Sequence, residues 1–499
     1  MANVVFDFQQ AVFTLESMVA KIERQAQTIE NLIKENEQLR QENEQLRQEN
    51  EQLRQENQKL KARIAELEAR TKKNSTNSHL PPSSDRFVAK SPSRQPSGKQ
   101  PGGQPGHRGT TLRQVPNPDH RVLHRVTECK GCGHSLEHVA PLQVDIRQVF
   151  DLPVVRMEVT QHEREVKSCP ECHLVQQAEF PFYVTNHVQY GPAITSLVLY
   201  WNHAQLIPCE RVTEMIKALV DHSMSAGTVV NMTRRWQPVV EAAIKEIETA
   251  LLTSSTLHVD ETSLRVNGKN QWVHVASTAK TTRYGLHRSR GKKATDDIGI
   301  LPRYKGTMVH DAYSVYPMYT EASHALCHAH HLRELRAYTE LYGHSWSKEM
   351  TEALLGMKQA VENADGALPE EEVRYWETVY DKLLANGRRE LEERCRQGNP
   401  PGVRNAQNFI QRLEKRKQEA LLFLRKKEVP FDNNQAERDL RMVKVKQKIS
   451  GTFRREDDAE AFCAIRSVIS TLQKQGKPVW ESLQRLLTGE SLPTILHSS

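Results

Sequence analysis

Leucines recur every seven residues at Leu32, Leu39, Leu46, Leu53, Leu60 and Leu67, and this spacing marks them as the d positions of a coiled coil. The a positions are then Ile29, Asn36, Asn43, Asn50, Asn57 and Ile64. Asparagine at a weakens the seam but favours parallel two-stranded pairing in one register. Glu35, Glu42, Glu49 and Glu56 at g face Arg40, Arg47, Arg54 and Lys61 at e, so the charges complement each other across a parallel homodimer. The rival reading of so polar a repeat is a solvated single helix.

Further along, helical spacing returns over residues 190 to 250. Val212, Ile216 and Leu219 stripe one helix, a turn falls at His222 to Ser225, and Ser225 offers an N-cap for a second helix through Val229, Val230 and Trp236. This outlines a helix-turn-helix with Thr228, Asn231, Arg234 and Arg235 available to DNA, although two packed helices without DNA share the same pattern. After residue 255 the pattern changes to strands over Thr256 to Val259, Gln271 to Ala276, Arg283 to His287 and Thr307 to His310, with a helix from Lys293 to Leu301 before the last. Three strands, a helix and a fourth strand is the opening order of an RNase H-like domain. Residues 330 to 428 then read as charged helices, and a second helical block runs from Gln435 to the end.

Composition divides the chain further. With 499 residues it exceeds one ordinary core, and its mean hydropathy of −0.65 requires some extended sequence. Thr71 to Gly109 is rich in Ser, Pro, Gly, Gln and Lys and reads as a linker, serving either as a spacer or as a basic arm along DNA. The net charge of +7 is modest, but its distribution is uneven. Residues 86 to 118 carry Arg86, Lys90, Arg94, Lys99, Arg108 and Arg113 without an acid, and Glu437 to Arg455 hold seven Lys or Arg against two acids. No apolar run is long enough for a membrane span and no secretory pattern opens the chain, so a cytoplasmic location is expected.

Four of the eight cysteines form two C-x-x-C pairs, Cys129 with Cys132 and Cys169 with Cys172. Two such knuckles supply the four soft ligands of one closed structural Zn²⁺ site in a ribbon-like module, and redox-active thiols are the alternative. Three carboxylates form the second candidate site. Asp260 and Asp311 each end a predicted strand, and Glu437 opens a helix after the turn Pro430 to Asn434. Oxygen ligands converging in this way suit two Mg²⁺ or Mn²⁺ ions. If residues 435 to 448 are helical, Glu437, Arg441, Lys444 and Lys448 share a face, whereas Asp439 points about 200° away from Glu437.

The stretches His258-Val-Asp-Glu-Thr262, His310-Asp-Ala-Tyr313, Cys327-His-Ala-His-His-Leu-Arg-Glu-Leu335 and Asp432-Asn-Asn-Gln-Ala-Glu-Arg-Asp-Leu-Arg441 resemble those of the insertion sequence sixty-six family of transposases. The resemblance extends to the zipper, Pro81 to Asp85, the Gly102 to His107 segment and the cysteine pairs. It implies a DDE triad at Asp260, Asp311 and Glu437, a helical insertion before the glutamate, and accessory proteins encoded beside the enzyme. Cys327 and His330 resemble a Cys-x-x-His signature of DDE groups, in which His330 either contacts a phosphate or helps to hold strand to helix.

The expected chain is therefore multidomain. A coiled coil over 1–72 and a basic linker over 73–110 precede a zinc module over 111–188 and a helical DNA-binding region over 189–250. An α/β RNase H-like catalytic domain spans 251–455 with a helical insertion at about 338–430, and a helical tail occupies 456–499. The expected activity is metal-dependent cleavage at the ends of an insertion sequence and strand transfer into target DNA, carried out by a homodimer or higher oligomer. The rivals are a zinc-containing dimeric regulator without catalysis and an RNase H-like nuclease that cannot join strands.

Overall fold

The computed structural model describes residues 2–73, 112–364, 366–396, 398 and 401–498, so the expected linker and most of its basic residues lie outside the described residues. The chain groups into two compact units, Met1–Asp85 with Ala325–Asp432 and Arg86–His324 with Asn433–Ser499.

The chain begins with α1 (Ala2–Thr71), a single helix of 70 residues. No glycine or proline interrupts it, and its Glu, Gln, Leu, Arg and Lys content favours helix throughout. All six d-position leucines stand roughly half exposed, as do Ile29 and Ile64. Asn43, Asn50 and Asn57 turn their amides back onto the carbonyls of Leu39, Leu46 and Leu53 at 2.9–3.1 Å.

Around the cysteine pairs, residues 110 to 187 read from the sequence as short strands. Among the described residues they contain one antiparallel pair, β1 (Val166–Ser168) with β2 (Val175–Gln177), and a single bridge between Glu128 and Ser135. Val122, Leu142, Val154 and Val159 are exposed, so this stretch lacks the buried face that would select regular strands.

The helical region follows the predicted pattern. It comprises α2 (Pro192–Leu199), one π-helical turn (Tyr200–Ala204), α3 (Cys209–Val220), α4 (Ala226–Arg235) and α5 (Gln237–Leu252). Ser225 caps α4 by accepting from the Thr228 amide at 3.1 Å, and Val212, Ile216, Val229 and Met232 pack α3 against α4.

The sheet is built from β3 (Thr256–Val266), β4 (Lys269–Ser277), β5 (Thr282–His287), β6 (Thr307–His310) and β7 (Ser323–Leu326), with α6 (Lys292–Ile298) crossing from β5 to β6. The strand order is β5-β4-β3-β6-β7. β3, β4 and β5 are antiparallel, whereas β6 lies parallel to β3 with His258 beside Val309. The β3–β4 hairpin is longer than its hydrophobic pattern predicts because Asn267 and Gly268 take positive φ of 48° and 72°, a two-residue turn matched to strand twist.

Beyond β7 lies the helical insertion: α7 (His328–Tyr342), α8 (Ser345–Asn363), α9 (Glu370–Arg396), α10 (Val403–Lys415) and the short α11 (Lys417–Ala420). Trp346, Phe409 and Ile410 are buried, and Gly387 lets α9 approach them; a Cβ there would lie 2.8–2.9 Å from Ile410 and Trp346. The chain ends with α12 (Asn434–Ser450), α13 (Glu456–Lys474), α14 (Val479–Leu487) and α15 (Leu492–His497). The expected tail at 456–499 is not an appendage. Phe462 and Cys463 of α13 pack with Val275 and Tyr284 of the sheet, while Ile465, Ile469 and Leu472 pack with Ile244 of α5 and Leu257 of β3.

Candidate active site

Continuing the β3–β6 register by two residues sets Asp260 beside Asp311 where β6 ends. Successive strand residues point to opposite faces, so Asp260 shares a face with His258, and Glu261 belongs to the other face. α12 covers the Asp260 face, and Asn433 docks its start. The Asn433 amide donates to the Val259 carbonyl at 2.8 Å, and its Oδ1 accepts from His258 Nδ1 at 2.8 Å. This buried asparagine thus grips β3 at the two residues before Asp260 and sets Glu437 in the first turn of α12.

Burial raises the Asp260 carboxyl well above the ordinary aspartate range, and the negative charges of Glu261, Asp311 and Glu437 push it further in the same direction. Asp311 and Glu437 therefore both lie within electrostatic reach of Asp260, and so does Glu261, a further acid that sequence reasoning missed. Burial also raises the Glu261 carboxyl. Its side chain is nearly inaccessible, accepts from the Tyr316 hydroxyl and from Arg290 Nε at 2.8 Å, and is ion-paired with Arg290 Nη2 at 2.6 Å. The Asp311 carboxylate accepts from the Tyr313 amide at 2.9 Å. A small cavity opens beside Asp260, lined also by Val259, His274, Arg283 and Tyr316. Among the described residues no three or more His, Cys, Asp or Glu side chains are gathered into a group that could hold a metal ion, either at these acids or at the cysteine pairs.

The cysteine pairs form two matching knuckles. The Cys129 amide donates to His134 O at 2.9 Å and the Cys169 amide to Leu174 O at 3.0 Å; Gly133 and His173 donate back to Cys129 O and Cys169 O. The residue after each second cysteine has positive φ, 73° at Gly133 and 55° at His173. Backbone amides lower the thiol pKa of Cys129 and Cys169, chiefly those of Gly131 and Cys172 respectively.

Several residues expected at DNA have partners within the chain. Arg234 pairs with Asp458 at 2.6 Å, and Arg235 donates to Thr185 and Gln189, so both fasten α4 to neighbouring segments. Lys444 donates to Ser263 O and Oγ at 2.5 and 3.1 Å and ties α12 to β3. Arg441 and Lys448 remain exposed. His330 lies in the other compact unit, with its Nε2 3.2 Å from Arg333 Nη2. Asp439 is buried in an ion pair with Lys474, clear of the acids.

Residues 187–461, more than half the chain, match the transposase IS66 family, and residues 127–173, which hold both cysteine pairs, match the zinc-finger binding domain of transposase IS66. Residues 18–113 match a family of unknown function, and no curated protein matches. The fold and these matches define a DNA transposase with a zinc-finger domain. The chain belongs to the transposase IS66 family. Among the described residues no helix is long and apolar enough to cross a membrane.

Proposed function

We propose that the sheet-bearing unit is an RNase H-like DDE catalytic domain in which Asp260, Asp311 and Glu437 hold two Mg²⁺ or Mn²⁺ ions. The observation that carries this reading is the β3–β6 register that brings Asp260 level with Asp311, together with the Asp260 carboxyl, raised by burial and then by Glu261, Asp311 and Glu437. Such mutual repulsion is relieved by cations, and the donor set is all hard oxygen. Bound there, the ions would activate a water or 3′-hydroxyl and steady the leaving oxygen. Three features support this arrangement: the β3–β6 register, which continued by two residues brings Asp260 level with Asp311, the Tyr313 amide bonded to Asp311, and Asn433 bonded to β3 just before Glu437.

Cys129, Cys132, Cys169 and Cys172 hold one structural Zn²⁺ in this reading, supported by the paired knuckles with their lowered thiol pKa values. The half-exposed leucine stripe of α1 and its complementary e and g charges support a parallel dimer with a second copy. Arg441 and Lys448 meet the DNA backbone, together with the basic segment before residue 112.

Incubation of the full chain with Mg²⁺ and a DNA fragment bearing the element's terminal repeat tests the reaction. A transposase gives joined products. Cuts without joints identify a nuclease, and binding with neither identifies a regulator.

A further inference from the structure

The run His287-Arg288-Ser289-Arg290-Gly291-Lys292-Lys293 joins β5 to α6 and concentrates four cations that the proposed catalytic chemistry does not use. Three are paired: Arg288 with Glu456 at 2.7 Å, Lys292 with Asp296 at 2.7 Å, and Arg290 with Glu261 at 2.6 Å. Arg290 differs from the others in lying over two aromatic rings and in having a buried acid as its partner. Nε and Nη2 grip the Glu261 carboxylate, while its guanidinium carbon lies 4.2 Å from the Tyr313 ring centroid and 5.0 Å from that of Trp272. The pair is also asymmetric, since the Arg290 side chain is 43% exposed and that of Glu261 only 1%. Solvent at this edge of the acidic site therefore meets the cation.

We infer that Arg290 is a phosphate-binding residue that receives a phosphodiester of the DNA strand beside the bond being cut. An acidic site repels the polyanion it must engage, so a cation fixed at its rim supplies local attraction without occupying the metal positions. Arginine suits the task because its planar fork can hold a carboxylate on one edge and present further N–H donors to a phosphate oxygen. Nη1 makes no hydrogen bond to the described residues and supplies that donor. Tyr313 stands two residues after Asp311 and donates its amide to that carboxylate, so the stacked ring couples the arginine to the aspartate's loop. Basic and aromatic side chains interleaved in this way are a recurrent surface for single strands.

This inference rests on the DDE reading for its placement, but its test does not need catalysis. The full chain is titrated against a fluorescein-labelled single-stranded oligonucleotide and a labelled duplex in Ca²⁺, over a series of salt concentrations. Arg290→Gln should weaken binding to the single strand and lower the slope of log K against log salt by about 0.7, the loss of one phosphate contact. Glu261→Gln/Arg290→Gln separates phosphate binding from neutralisation of a buried acid, because it removes both members of the pair. If Arg290 binds phosphate, the double variant stays as weak as Arg290→Gln with the same reduced slope. If Arg290 only neutralises Glu261, the double variant regains wild-type affinity and slope, and the proposal is overturned. An unchanged slope in Arg290→Gln, with circular dichroism showing the fold intact, would overturn it as well. Failure of the DDE reading would appear separately, as cleavage that persists in triad variants.

Discussion

Asp439 lies two residues after Glu437 on the same helix, yet the structure gives it a different duty. Lys474 Nζ donates to its carboxylate at 2.7 Å, and Gln435 Nε2 donates to both of its oxygens at 3.2 Å. With Lys474 12% and Asp439 7% exposed, solvent screens this pair little. Removing one partner of a buried pair costs about 3–5 kcal/mol. Lys474 also donates to the Thr278 carbonyl at 2.8 Å, and asparagine keeps one oxygen acceptor, so Asp439→Asn should cost less, roughly 2–3 kcal/mol. Differential scanning calorimetry should then show the transition of the sheet-bearing unit about 3–5 °C lower. Strand cleavage at a temperature well below that transition should stay near wild type. Asp439→Leu combined with Lys474→Met should recover much of the loss, because replacing both charges leaves neither uncompensated. An unshifted transition in Asp439→Asn, or loss of cleavage in folded protein, would refute this division of labour.

Asn433→Ala removes two 2.8 Å hydrogen bonds that seat α12 on β3, and should slow single-turnover cleavage about 10²-fold with DNA binding retained; unchanged cleavage would show that Glu437 is placed without it. The Asp260 carboxyl, raised by burial and then by neighbouring acids, keeps a proton in the folded chain that the unfolded chain sheds above about pH 4. Stability of metal-free protein should therefore fall as pH rises from there through the raised value, with Mg²⁺ or Asp260→Asn flattening the decline; melting curves in EDTA that match between wild type and variant would contradict this. Elemental analysis should find one zinc per chain, lost in Cys132→Ser and in Cys172→Ser, and protein purified without chelator that contains no zinc would remove the assignment.

Much of the sheet was legible because its strands alternate and β-branched residues fill them, and Asp311 was visible as a strand-ending acid, whereas Asp260, also expected at a strand end, stands within β3. The length of β3 was not, since Glu261, Thr262 and Ser263 break the apolar alternation while the Asn267-Gly268 turn holds the pairing. β7 escaped because Ser323-His-Ala-Leu326 is too short to show a period. The duties of Arg234, Arg235 and Lys444 were hidden because their partners Asp458, Gln189 and Ser263 are distant in sequence, and a basic residue on a helix face looks the same whether it meets phosphate or carboxylate. Glu261 and Arg290 left a signal that was passed over: an acid adjoining Asp260, and a basic loop directly before a helix.

The central claim is that Glu437 completes a metal-binding triad with Asp260 and Asp311. Its most direct measurement is the yield of cleaved and joined DNA from Glu437→Gln in Mg²⁺, alongside its melting temperature, zinc content and affinity for the uncut DNA. Glutamine keeps the size and hydrogen bonding of the side chain but removes the charge that holds the ion. The account predicts no cleavage and no strand transfer, with folding, zinc and DNA binding intact, and the same for Asp260→Asn and Asp311→Asn. Normal cleavage by Glu437→Gln, with activity lost instead in Asp432→Asn or Glu261→Gln, would contradict it.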